Sequence, residues 1–155
     1  MKLLFQNTGT AGNTELKELL GFIDADLKLK NLLPDIVTAT NDVIDLVGIE
    51  VYKKALEAYN DANIADEHKD FIYTIRYPIA VNAYRLHAPS NDLAHTNNGR
   101  KMRQDDGEKQ AFQWMLDSDN AALEKRYYRA LDDLIKFLDR SKDEPETAQK
   151  LYSIW

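Results

Sequence analysis

The sequence contains no cysteine. Disulfides, thiolate metal sites and a cysteine nucleophile are therefore excluded. It also lacks a continuous run of about 18 apolar residues, the length that predicts a membrane-spanning helix. The apolar run near the start, Leu3, Leu4 and Phe5, is much shorter than the roughly seven to fifteen apolar residues of a secretory signal. We therefore expect a soluble, non-secreted protein without contact to a membrane.

Motifs with catalytic or metal-binding spacing are also missing. No glycine-rich loop is followed by the Lys-Ser or Lys-Thr pair of a phosphate site. The three histidines are far apart and lack the spacing of zinc-binding helices: His68, His87 and His95. The acids at residues 105–108 begin a predicted helix, where they compensate the helix dipole. We expect no enzyme activity, no metal, no cofactor and no buried carboxylate–histidine pair in a cleft.

Composition describes an ordinary globular chain. Its 155 residues are 44% hydrophobic and 30% charged, which suits one folded domain spanning residues 1–155. The formal net charge is −6. Since binding to the DNA backbone requires clustered Lys and Arg, this charge argues against a large DNA-gripping face.

Apolar residues recur at three- and four-residue spacing through most of the chain, which predicts an all-α helical bundle with a long C-terminal helix. Asn13 or Thr14 is a plausible N-cap of the first helix. We expect Pro34 in the first turn of the second helix, Pro78 to bend the fourth, and Pro89 to stop it. The predicted helices span residues 13–20, 34–47, 49–60, 66–87 and 105–140, and a short last helix follows Pro145.

One small β-hairpin interrupts the helices at residues 92–104. Asn98-Gly99 is a strong signal for a tight turn because both residues tolerate positive φ. Residues 93–96 and 100–103 are the predicted strands. Since an isolated two-stranded hairpin is marginally stable in water, we expect it to lie against its own helices or against another chain.

The residues predicted to make assembly contacts lie in this hairpin and in the C-terminal tail, residues 144–155. Arg100, Lys101 and Arg103 form the densest basic cluster and follow Asn98-Gly99 directly. They contact an acidic partner or nucleic acid, or they are simply solvated. A second basic group on the long helix, Lys125, Arg126 and Arg129, alternates with acids and is interpreted as solvated charge.

Both chain ends carry apolar residues joined to the body by polar or proline-containing segments. In the N-terminal arm, residues 1–13, these are Leu3, Leu4 and Phe5; in the tail, Tyr152 and Trp155 are the aromatic ones. We hypothesise that at least one end docks on a neighbouring protein. The alternative is that both ends fold back and complete the core of their own chain.

Two stretches carry a resemblance to phage proteins. The series Leu16-Lys17-Glu18-Leu19-Leu20, then Leu33-Pro34-Asp35-Ile36-Val37 through Leu46-Val47-Gly48, resembles the opening helices of tailed-phage head–tail connector proteins. The helix with Tyr77-Pro78-Ile79-Ala80 resembles the middle helix of the same group. Residues 90–140, from His95-Thr96-Asn97-Asn98-Gly99 through Arg126-Tyr127-Tyr128-Arg129, are similar to an uncharacterised family encoded in phages and prophages of gut bacteria. The hairpin and the C-terminal extension depart from the connector pattern.

The resemblance implies a structural virion protein, assembled in the host cytoplasm and located in the phage neck. Its copies would form a homo-oligomeric ring between portal and tail proteins, with DNA passing through the lumen. The alternative is a small non-enzymatic helical adaptor or regulatory protein of a prophage.

Overall fold

A glycine separates two of the helices that form the core. Gly48 has φ +92°, a left-handed conformation that favours glycine; one helix ends directly before it and the next begins directly after it.

The computed structural model describes residues 1–6, 10–22, 28–102 and 112–143. The five helices within these ranges are α1 (Ala11–Leu19), α2 (Leu29–Val47), α3 (Ile49–Asn60), α4 (Asp66–Asp92) and α5 (Gln113–Asp143). The all-α prediction, with its long C-terminal helix, is confirmed.

The α4 helix is the centre of the packing. It lies against α2 and α5 over most of its length, and α1 and α3 contact it more briefly. Its buried positions include Phe71, Ile75, Ile79 and Ala83, whose spacing of four residues places them along one helical stripe. These side chains belong to a single cluster that also contains buried residues of α1, α2, α3 and α5.

Prolines are the main departure from the predicted helix bounds. Pro34 lies inside α2, five residues after its start, because Leu29 and Leu32 are buried and continue the helix upstream. The α4 helix runs as one element through Pro78, where the expected bend stays a prediction, and it also runs through Pro89, where we expected the helix to stop. Each proline removes one backbone hydrogen bond, and the helix nevertheless continues through each of them.

The first helix starts earlier than predicted and uses Asn13 differently. It begins at Ala11, so Asn13 is a helical residue and not the N-cap. Its side-chain Oδ1 instead accepts a hydrogen bond of 2.7 Å from the backbone N–H of Leu29, the first residue of α2. Asn13 therefore satisfies a free N–H at the start of the next helix, a role that local sequence patterns do not reveal.

The predicted hairpin is present, with its turn one residue earlier. Strands β1 (Leu93–Thr96) and β2 (Gly99–Met102) pair antiparallel, with Thr96 opposite Gly99, so the turn residues are Asn97 and Asn98. Gly99 has φ +100, whereas Asn98 does not have a positive φ. Only the glycine therefore uses the left-handed conformation that was expected of both residues.

Candidate functional site

The tip of the hairpin is exposed and polar. Thr96, Asn97, Asn98, Gly99 and Arg100 are all exposed. The side-chain hydroxyl of Thr96 donates to the carbonyl of Gly99 at 2.7 Å and accepts from the N–H of Asn98 at 3.3 Å. The tip is therefore held by its own hydrogen bonds, and its exposed groups are available for contact with another molecule.

The structure describes the position of only some of the predicted contact residues. Arg100 lies in β2 opposite His95, and Lys101 follows it opposite Ala94. The side chain of Lys101 lies outside what the structure describes, as do Arg103, Tyr152 and Trp155. Whether the basic residues act together in a contact stays a prediction.

In the N-terminal arm, side chains of the helices form hydrogen bonds to the backbone of residues 1–6. The Tyr52 hydroxyl of α3 donates to the carbonyl of Lys2 at 2.8 Å, and Arg76 Nε of α4 donates to the carbonyl of Leu4 at 2.8 Å. The backbone N–H of Gln6 donates to Glu15 Oε2 of α1 at 2.9 Å. For this arm, the alternative of folding back on its own helices is the correct one.

The polar cluster under the arm is centred on Glu15. Arg76 Nη2 lies 3.3 Å from Glu15 Oε2, and the Tyr59 hydroxyl donates to Glu15 Oε1 at 2.5 Å. Burial, then the hydrogen bond to Glu15, raises the pKa of Tyr59 well above its usual range. The guanidinium of Arg76 also lies 4.9 Å from the ring centre of Phe5. The charges of Arg76 and Glu15 pair with each other, as partly buried charges require, although Arg76 Nη2 makes no hydrogen bond to the described residues.

A groove of about 640 Å³ opens beside the arm. Leu3, Phe5, Leu33, Leu56 and Tyr59 contribute to its lining. This volume is in the range of small-molecule sites, but such sites place several polar groups toward one point. Here the Tyr59 hydroxyl already donates to Glu15. We assign no chemistry to the groove.

A histidine–carboxylate pair links α2 to α4. His87 Nδ1 lies 3.1 Å from Asp35 Oδ2, and the two side chains are 15% and 28% exposed. We expected no buried pair of this type in a cleft; this pair is partly exposed and connects two helices. In the portion of the chain covered by the coordinates, no group of three or more His, Asp and Glu side chains is arranged to hold a metal ion. The expected absence of a metal site stays a prediction.

The feature that sequence reasoning missed is a connected surface of aromatic rings around Arg126. We define the aromatic–arginine surface as Phe22, Tyr73, Tyr77, Tyr84 and Arg126. Arg126 Nη1 donates to the Tyr77 hydroxyl at 3.2 Å, and its guanidinium lies 4.1 Å from the ring centre of Phe22. Arg126 is therefore a contact residue rather than purely solvated charge, although it remains exposed.

The other rings of this surface extend it along α4. Tyr73 stacks on Tyr77 with ring centres 5.6 Å apart, and Phe22 meets Tyr84 edge-on at 6.3 Å. Tyr73 is 54% exposed and Phe22 is 43% exposed. Burial, then the nearby charges of Asp119 and Asp92, raises the pKa of Tyr84. Tyrosine and arginine are enriched at protein interfaces, so this surface is a second candidate for contact with a partner.

Within the ranges that the coordinates cover, no helix combines the length and the apolar character needed to span a bilayer.

In a comparison with known protein families, residues 43–153 match a family of unknown function, DUF6712. This range includes the hairpin and all of α5. No curated protein and no solved structure matches the chain.

Proposed function

The chain belongs to the DUF6712 family of unknown function, and we propose that it is a structural, non-enzymatic subunit of a tailed-phage neck. In this proposal its copies form a homo-oligomeric ring between portal and tail, and DNA passes through the lumen. The observation that carries the proposal is the exposed hairpin tip with Arg100 next to it, on a chain whose net charge is −6.

The charge distribution supports contact with an acidic protein surface. Arg100, Lys101 and Arg103 are consecutive or nearly so in sequence, while acids outnumber bases by 26 to 20 in the chain as a whole. A second copy therefore carries a net negative charge that attracts the basic hairpin. Complementary charges of this type guide the approach and orientation of partners.

Two separate surfaces are what a ring subunit requires. In a ring with more than two copies, each subunit uses one surface toward the preceding copy and a different surface toward the next. The hairpin and the aromatic–arginine surface are different parts of the molecule: the first consists of β1 and β2, and the second lies on α4, α5 and the residues after α1. We propose that they serve these two contacts, so that the basic hairpin of one copy meets the aromatic–arginine surface of the next beside Asp92 and Asp119, whose charges lie near Tyr84.

An acidic subunit is also compatible with DNA in the lumen. Proteins that grip DNA without sequence preference use many Lys and Arg side chains to neutralise phosphates. A chain with net charge −6 lacks such an excess, and like charges reduce adhesion to passing DNA. The resemblance of the opening helices to head–tail connectors points to the same location in the virion.

Charge reversal in a phage that encodes this chain tests the proposal. The variant Arg100→Glu, Lys101→Glu, Arg103→Glu should stop head–tail joining, so that DNA-filled heads and free tails accumulate. The matched control is Lys30→Glu, Lys53→Glu, Lys54→Glu, which makes the same charge change on exposed residues of α2 and α3. Circular dichroism of both purified variants should match the parent. Normal particles from the hairpin variant would refute the assigned contact.

A further inference from the structure

The outer face of α5 carries apolar residues at a regular spacing. Trp114, Ala121, Tyr128 and Ile135 follow one another every seven residues and are all exposed; we call them the α5 stripe. The three large side chains are 67%, 59% and 40% exposed, in that order. A seven-residue repeat keeps side chains on nearly one line of an α-helix. The stripe is about 32 Å long at 1.5 Å per residue.

The face of α5 that packs on the body is a different one. The buried residues of this helix are Leu123, Tyr127, Ala130, Leu134, Leu138 and Ser141. Helical geometry places the stripe well away from the middle of that buried face. Single exposed apolar residues are common on protein surfaces, but four that lie in line along one helix form an elongated apolar surface of the kind that marks a contact with another protein.

We infer that the α5 stripe binds the α5 helix of a second copy of this chain, in antiparallel orientation. The register that places Ala121 opposite Tyr128 of the second copy also places Trp114 opposite its Ile135. A small residue then faces a large one at two of the four layers, which allows the helices to approach closely. The contact is the same for both copies because the pairing has two-fold symmetry.

Charge selects the antiparallel orientation over the parallel one. Residues 113–124 carry Asp117, Asp119 and Glu124 and no Lys or Arg, a charge of −3. Residues 125–136 carry four bases and two acids, a charge of +2. In the antiparallel register each acidic block faces the basic block of the other copy. A parallel pair would instead align like charges along its whole length, which is unfavourable.

This contact is independent of the proposed ring. A two-fold contact joins two copies and is then satisfied, so it does not close a larger ring. It would pair free subunits or join two rings face to face. Its failure in an experiment therefore leaves the neck proposal unaffected, and the reverse also holds.

Oligomeric mass in solution gives the first test. The parent chain should show a concentration-dependent dimer in sedimentation equilibrium, and Ile135→Glu should raise the dimer Kd by about tenfold or more, since it places a charge in an apolar contact. Ile49→Glu is the matched control: Ile49 is 47% exposed, against 40% for Ile135, but lies on α3. It should leave the Kd unchanged. An equal effect of both variants, or a monomer at all concentrations, would overturn the inference.

Disulfide trapping tests the orientation without background, because the chain has no cysteine. Under mild oxidation, a mixture of Ala121→Cys and Tyr128→Cys chains should form mainly the mixed disulfide, since those positions face each other only in the antiparallel register. Asp133→Cys lies elsewhere on the exposed surface of α5 and should form little disulfide. If Ala121→Cys chains link mainly to one another, the helices pair in parallel and the inferred orientation is wrong.

Discussion

The N-terminal arm and the β-hairpin are both short segments beside the helices, yet they are held in opposite ways. The arm buries Leu4 and Phe5 completely or nearly so, and side chains from α1, α3 and α4 bind its backbone. The hairpin tip is exposed and is held by the hydroxyl of its own Thr96. The arm is therefore part of the fold, and we expect that substitutions in the hairpin tip leave the fold unchanged.

The largest expected effect is from removing the buried anchor of the arm. Leu4 is 0% exposed, and a fully buried leucine replaced by alanine typically costs about 2–5 kcal/mol in the free energy of unfolding. Leu4→Ala should lose this amount in urea denaturation. Lys2→Ala is the control, because the side chain of Lys2 is exposed, and it should stay within about 0.5 kcal/mol of the parent. Equal stability of the two variants would show that the arm is not part of the fold.

A smaller loss is expected where the arm crosses α1. A Cβ added at Gly12 would lie 2.0 Å from the backbone oxygen of Gln6, so the arm must shift. The clash costs about 1–3 kcal/mol, and alanine in place of glycine in a helix gains roughly 1 kcal/mol. We therefore expect Gly12→Ala to lower the free energy of unfolding by up to about 2 kcal/mol. Gly21→Ala meets no atom within 4 Å and is the matched control, expected to be neutral or slightly stabilising.

High pH should loosen the arm through Tyr52. Burial raises the pKa of Tyr52 to about 12 from its ordinary value of 10.0. The folded state therefore keeps the proton longer than the unfolded state, so this contribution is complete below pH 10 and is lost as the pH rises through 12. The slope from one group approaches about 1.4 kcal/mol per pH unit. Tyr52→Phe should weaken the pH dependence of urea unfolding; an unchanged dependence would contradict this assignment.

The smallest effect on stability is expected in the hairpin. Arg100 is exposed, and surface substitutions away from special features usually change stability by less than about 0.5 kcal/mol. Arg100→Glu should therefore unfold at the same urea concentration as the parent. A loss as large as that of Gly12→Ala would mean that the hairpin tip is as much part of the fold as the arm.

Local signals predicted much of this fold. The bounds of α3 were predicted correctly because Gly48 and the polar residues after Asn60 mark its ends. The hairpin followed from turn residues within a polar stretch. The position of Pro34 in its helix was misjudged, since the burial of Leu29 and Leu32 extends α2 upstream of Pro34. The helix propensity of single residues does not include the free energy that is gained when such side chains become buried.

The candidate surfaces were predicted less completely than the fold. The exposed tip with Arg100 was identified from sequence, because it depends on local composition. The aromatic–arginine surface depends on contacts between distant residues: Arg126 reaches Tyr77, 49 positions away, and also Phe22. Periodicity indicates only that such residues lie on helices. It does not indicate which helices meet, so the partners of Arg126 were not predictable.

Localisation of the chain in phage particles tests directly whether it is a subunit of the phage neck. Electron cryomicroscopy of the virions of a phage that encodes this chain should show its copies as a ring between portal and tail, with the hairpin of each copy against a neighbouring protein. Mass spectrometry of the purified virions should detect the chain. Its absence from complete, infectious particles, with the neck built from other proteins, would contradict the account.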